Sequence, residues 1–159
     1  MRLNQLLPLS NIACSVQSES KKKLLTLVSQ LAARQLTATP QQLFDALLLR
    51  EHIGNTSIGN GIALPHAKLY LDCFSTKLIM AYFLQLREGI EFNAIDNQPV
   101  DLIFVLFISE ASSHDHQKIL FQIGDYLSNK RRAYQLRQAK TNQALYQIFM
   151  KDNILLLDE

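Results

Sequence analysis

A fifteen-residue stretch, Gly54-Asn-Thr-Ser-Ile-Gly-Asn-Gly-Ile-Ala-Leu-Pro-His-Ala-Lys68, gathers three of the chain's five glycines and closes on one imidazole, His66, behind Pro65. Glycine permits positive φ and close approach of backbone to a ligand. Proline fixes its own φ and biases Leu64 to extended geometry. The spacing predicts a shaped polar loop, a short strand over Ile62 to Leu64, and a histidine delivered at its end. Exposed N–H groups from Gly59 through Asn60 to Gly61 would cradle an oxyanion. A neutral imidazole is a competent nucleophile near pH 7, so a phosphoryl group is the natural cargo. Arg50, just before the loop, either reaches that anion or caps its own helix.

The elements that must hold this loop are readable from periodicity. Leu3 to Leu7 reads as a helical turn stopped near Pro8, and Ile12 to Val16 as a strand. Ser18 is the expected cap of a helix carrying Leu24, Leu25, Val28, Leu31 and Ala32. Lys21 to Lys23 reads as its solvated face. Thr39-Pro40-Gln41-Gln42 spells a helix start, with threonine cap, proline first and glutamine three after the cap. That helix runs to about His52 and feeds the chain into the glycine loop. Long strands are expected over Ser75 to Leu86 and Val100 to Ile108, the latter apolar enough for burial on both faces. Arg87-Glu88-Gly89 and Asp96-Asn97-Gln98-Pro99 read as turns. Helices follow near His114 to Asn129 (capped by Ser112 or Ser113), Lys130 to Ala139 and Asn142 to Lys151, then Ile154 to Leu157 as a strand or tail. Strands interleaved with helices mean an α/β domain, here a single one over 1–159.

Composition sets the outer bounds. With 48% apolar and 19% charged residues, the 159-residue chain is of ordinary globular type. Its net charge of +2 is too small to argue for nucleic acid or an anionic membrane as partner, and neither is expected. No apolar run is long enough to span a bilayer, and the N-terminus lacks a signal-peptide pattern. Cys14 and Cys73, without CxxC spacing, read as reduced thiols in a cytoplasmic protein.

Arg50-Glu51, the glycine segment and Ile62-Ala-Leu-Pro-His66 together resemble the active-site segment of enzyme IIA of the bacterial phosphotransferase system, mannitol/fructose class. Phe92-Asn-Ala-Ile-Asp-Asn-Gln-Pro-Val-Asp-Leu102 resembles the nitrogen-regulatory branch of that class. The likeness runs from about Leu3 to Phe149. It implies a mixed central sheet flanked by helices, the mannitol-type IIA fold. It also implies that His66 accepts a phosphoryl group and that His116, at a helix start, stabilises it. Lys68 and Thr56 match family positions and are expected, with Arg50, Gly59, Asn60 and Gly61, to contact phosphate. His114 is expected to be a bystander. No cofactor or metal is implied. The implied partners are a small histidine phosphocarrier of the nitrogen branch, and regulatory targets such as potassium-transport proteins or sensor kinases. The chain would be a phosphotransferase component with a transient phosphohistidine rather than a complete metabolic enzyme.

Ser57 and Ala67 stand where the family usually has glycine. A positive φ there would cost on the order of 1 kcal/mol. Three other readings compete: a sugar-specific IIA passing phosphate to a IIB domain, a binding module that is never phosphorylated, and a metal site of His66, His114 and His116.

Overall fold

A computed structural model describes residues 1–70, 79–110 and 114–157. In order these are α1 (Leu3–Leu6), a 3-10 turn (Leu9–Asn11), β1 (Ile12–Val16), α2 (Lys21–Ala33), α3 (Pro40–Ile53), β2 (Ser57–Gly59), β3 (Ile62–Ala63), β4 (His66–Leu69), β5 (Ile79–Ile90), β6 (Val100–Ser109), α4 (His116–Ser128), α5 (Lys130–Gln138) and α6 (Asn142–Asp152). Six strands make one mixed sheet, ordered β1-β5-β6-β3-β2, with β4 also on β6. β5 and β6 are antiparallel, while β1 runs parallel to β5 and both β3 and β4 run parallel to β6.

β6 is the spine because alternation along it feeds two cores. Leu102, Phe104, Leu106 and Ile108 pack with α1 and α4 to α6, while Ile103, Val105 and Phe107 pack with α2 and α3. A strand buried on both faces has no polar side to spare, hence its unbroken apolar spelling. One edge of β6 is shared. β3 pairs with Leu102 and Ile103, and β4 resumes at His66 opposite Leu106. Between them, Leu64 and Pro65 step the chain along the edge, with the Leu106 N–H donating to the Pro65 carbonyl at 3.0 Å. His66 therefore begins an edge strand.

Several expectations need correction. The cap of α2 is Ser20, whose hydroxyl accepts from the Lys23 N–H; the Ser18 hydroxyl instead donates to the Ser20 carbonyl. Lys21 is not part of a solvated face, because it pairs with buried Glu51 at 2.6 Å. Arg87, Glu88 and Gly89 do not turn the chain but lie within β5, where the register with β6 shifts between Gln85 and Ile90. A bulge absorbs residues that look like a turn in sequence. α4 starts at His116, two residues later than expected, with Asp115 at the cap. Ser75 to Leu78, Cys73, Ser112 and Ser113 lie outside the described residues. Cys14 is a free, half-buried thiol. The tail forms a single bridge, Leu155 to Arg2, and buries Leu156.

Candidate active site at His66

Two helices and the edge strand meet at His66. The Thr39 capping box and Pro40 at the first turn fix where α3 starts. One face of α3 buries Leu43, Leu47 and then Glu51, four residues apart. Arg50, one residue before Glu51, points out of that stripe toward β4. Its Nη1 donates to the Gly54 carbonyl at 2.7 Å and closes the helix end. Its Nε donates to Nε2 of His66 at 3.0 Å. The reach to an anion and the capping of its own helix are thus one conformation.

That contact sets the tautomer. A guanidinium only donates, so Nε2 carries the lone pair. The other ring nitrogen, Nδ1, lies 2.8 Å from the Leu64 carbonyl oxygen, which only accepts, so Nδ1 carries the proton. Nε2 is therefore the ring nitrogen whose lone pair could act as a nucleophile. The imidazole is held below its usual titration range, first by burial. The guanidinium of Arg50 and the imidazole of His116 push in the same direction, while the Leu64 carbonyl and Glu51 oppose them. At neutral pH the ring is therefore the neutral, nucleophilic form.

His116 and His66 are close enough to interact electrostatically, although 50 positions separate them. His116 is the first residue of α4 and half-buried; His114 is exposed and precedes the helix. Lys68 is exposed two residues along β4, hence on the same strand face as His66. Among the described residues, no three His, Cys, Asp or Glu side chains converge as a metal site requires.

The other loop residues are engaged elsewhere. Thr56 is buried, and its hydroxyl donates to the Glu51 carboxylate. Gly59, Asn60 and Gly61 form the β2–β3 turn, all at positive φ. Ile62, the first residue after this turn, lies four register positions along β6 from His66, about 13 Å away, and the turn lies beyond it. Asn60 donates its N–H to Asp96 at 2.9 Å, and its carbonyl accepts from Arg137 at 2.6 Å. Arg137 also grips Asp101 with Nε and Nη2 at 2.8 to 3.1 Å. A Cβ on Gly61 would stand 2.7 Å from that guanidinium and 3.2 Å from the Pro99 carbonyl. The expected oxyanion cradle is therefore a turn clamped by Asp96, Asp101 and Arg137, and it is not brought to the ring. Ser57 and Ala67 lie in strands outside the positive-φ region, so neither strains the backbone.

Two participants escaped the sequence reading. Glu51 accepts from Thr56 and pairs with Lys21, whose Nζ also lies 4.3 Å from the centre of the Phe92 ring. The signal was available: a glutamate extends the apolar Leu43, Leu47 stripe of α3, and a charge there needs a partner. The Leu64 carbonyl left no signal, since its role depends on the step at Pro65. The Phe92 to Asp101 segment braces the same region, because Asn55 Nδ2 donates to the Phe92 and Asn93 carbonyls at 2.5 and 3.0 Å.

Residues 5–152 match the family described as phosphoenolpyruvate-dependent sugar phosphotransferase system, EIIA 2. The chain is 44% identical over 133 residues to the nitrogen regulatory protein of Escherichia coli K12, covering 84% of this chain and 80% of that one. It superimposes on the crystal structure of nitrogen regulatory protein IIA-Ntr from Neisseria meningitidis with a TM-score of 0.85 and 28% identity, covering 92% of this chain and 98% of that one. IIA mannitol from Escherichia coli shares the fold, with a TM-score of 0.70 at 16% identity over 88% of this chain and 96% of that one. The chain belongs to the EIIA type 2 family of the phosphotransferase system and, within it, to the nitrogen-regulatory branch.

Proposed function

We propose that this protein carries a phosphoryl group on Nε2 of His66, received from a small histidine phosphocarrier of the nitrogen branch, and modulates partner proteins according to that state. The single observation that carries the reading is the relay from Arg50 through the His66 ring to the Leu64 carbonyl. It presents a lone pair on Nε2 with a cation beside it. In the reaction, the Nε2 lone pair attacks the donor's phosphorus, and the donor's P–N bond breaks with its electrons returning to the donor nitrogen. The Leu64 carbonyl holds the Nδ1 proton while positive charge develops on the ring. Arg50 passes its Nε–H from Nε2 to a phosphoryl oxygen, and His116 and Lys68 supply further positive charge. Positioning and charge stabilisation are what phosphoryl transfer asks of a protein. Thr56 acts one step removed, through Glu51, and Gly59, Asn60 and Gly61 hold the clamped turn.

Exposed Leu49, Ile53, Ile58 and Phe121 support docking of a carrier next to the histidine. Leu49 and Ile53 flank Arg50, and Ile58 packs toward α4 at Gly124, one turn from Phe121. Regulatory targets of the kind named above, potassium-transport proteins or sensor kinases, would read the charge at the same place.

The test is reconstitution with phosphoenolpyruvate, the first enzyme of the system and the nitrogen-branch carrier, followed by intact mass. One phosphoryl group is expected on the wild type, with no onward transfer to added sugars and a phosphotransferase membrane fraction. Onward transfer to a sugar would replace the regulatory reading with a sugar-specific one, and absence of labelling would reject both.

A further inference from the structure

The net charge hides a strong asymmetry. Residues 128–151 hold six of the 16 Lys and Arg and none of the 14 Asp and Glu; the rest of the chain, with ten cations and 14 anions, is net negative by four. We propose that the α5–α6 face is a second docking surface, separate from the His66 face, for an acidic segment of a partner protein.

Two of the six cations are already spent. Arg132 pairs with Asp152 and stacks on Tyr126, and Arg137 holds Asp101. The other four, Lys130, Arg131, Lys140 and Lys151, are exposed, and no carboxylate among the described residues pairs with them. Arg131, Lys151, Gln138 and Gln147 line an open groove of about 800 Å³ between the two helices, with exposed Tyr134 as one wall. The helices have 9 and 11 residues, so the groove offers about 14 to 17 Å of length, enough for three turns of a partner helix or a short extended segment.

Charge complementarity sets the sign of the occupant, and the lining sets its class. Glutamine amides both donate and accept, which suits carboxylates and peptide groups. Two of the three arginines in this segment, Arg132 and Arg137, are already engaged by carboxylates, which leaves only Arg131 for bidentate phosphate contact and disfavours a nucleic acid backbone. Tyr134 is the one large exposed hydrophobic side chain among the described residues of α5 and α6, so the face has nothing to sink into a bilayer.

This surface is also remote from the phosphorylation site. α4 starts at His116, near His66, and its 13 residues carry the chain roughly 20 Å to Ser128 and the basic segment. A partner held here leaves His66 open to its carrier, so binding at this face is independent of phosphorylation.

Fluorescein-labelled poly-L-glutamate tests this against the full-length protein by anisotropy, with a short RNA duplex and phosphatidylglycerol vesicles as competing probes. Salt-sensitive binding of polyglutamate is expected, weakened roughly tenfold or more by combined Lys130→Glu, Arg131→Glu and Lys151→Glu. The same charge change on α2 and its C-cap, combined Lys22→Glu, Lys23→Glu and Arg34→Glu, should change it by less than about twofold, as should His66→Ala. If the glutamate variant melts early, Lys130→Gln, Arg131→Gln and Lys151→Gln take its place with the same direction expected. Equal weakening by the two triple variants, absence of polyglutamate binding, or tighter binding of RNA or vesicles would overturn the proposal.

Discussion

Arg50 Nε and His66 Nε2 lie 3.0 Å apart, the guanidinium donating to the ring nitrogen's lone pair. The same arginine closes its helix on Gly54, so the helix end and the His66 ring are set by one side chain. Replacing Arg50 by Ala should leave His66 phosphorylatable but slow it. A preorganised donor to transferring charge is worth roughly 100- to 1,000-fold in rate, and a partly solvated site should give the low end. Removing this cation also raises the His66 pKa, so the acid limb of the loading rate moves to higher pH. Rapid-quench loading across pH reads both effects.

The lowered pKa of His66 has a stability counterpart. The ring binds protons less readily in the folded than in the unfolded chain, whose histidine titrates near 6.5. Its contribution is full above pH of about 6.5 and is lost as pH falls from there through the folded-state pKa, because the unfolded state binds more protons. The denaturant midpoint of the wild type should therefore fall relative to that of His66→Gln as pH falls through that window. Parallel curves would mean that the ring titrates like a free histidine.

The buried Glu51–Lys21 pair should behave as a unit. Lys21→Met leaves a buried carboxylate without its cation, at a cost of about 3 kcal/mol, the low end for such a break because Lys21 retains 20% exposure. Lys21→Met with Glu51→Gln should recover most of the loss in a denaturation cycle. Glu51→Gln alone should shift the His66 acid limb to lower pH, because Glu51 raises its pKa. A purely structural glutamate would leave that limb in place.

Gly61→Ala should injure the fold and spare the chemistry. Its φ of 78° is in the left-handed region, and a Cβ there meets Arg137, Asp101 and the Pro99 carbonyl. Left-handed strain alone costs roughly 1–2 kcal/mol, a fall in Tm of about 2–8 °C for a chain of this size. Loading of the folded fraction should match wild type; selective loss of loading would return the turn to the phosphate site.

Much of this architecture was legible because local rules and tertiary context agree. The Thr39-Pro40 box caps α3, Ile12 to Val16 is β1, and the unbroken apolar run is β6. That His116 lies close enough to influence His66 was readable only through family likeness and not through spacing, since proximity across 50 positions depends on the sheet's order. The glycine turn misled for the same reason: positive φ was predictable at Gly59 and Gly61, but the direction the turn faces depends on where β3 docks on β6. Arg87 to Gly89 has turn chemistry inside a bulged strand, because pairing with β6 overrides local preference.

His116 and His114 separate by position. His116→Ala should keep a labelled His66 while loading more slowly or losing phosphate faster, and His114→Ala, exposed and ahead of the helix, should change neither. Loading and decay kinetics of both variants decide it, and damage from His114→Ala instead would transfer the stabilising role to that residue.

The central claim is that the phosphoryl group is carried on Nε2 of His66. Nitrogen-15 correlation NMR of the protein after loading by phosphoenolpyruvate and the carrier system reads the bonded nitrogen directly. The account predicts one phosphoryl group, phosphorus coupling at Nε2, a retained proton on Nδ1, and no labelling of His66→Ala. Phosphorus coupling at Nδ1, or normal labelling of His66→Ala, would contradict it.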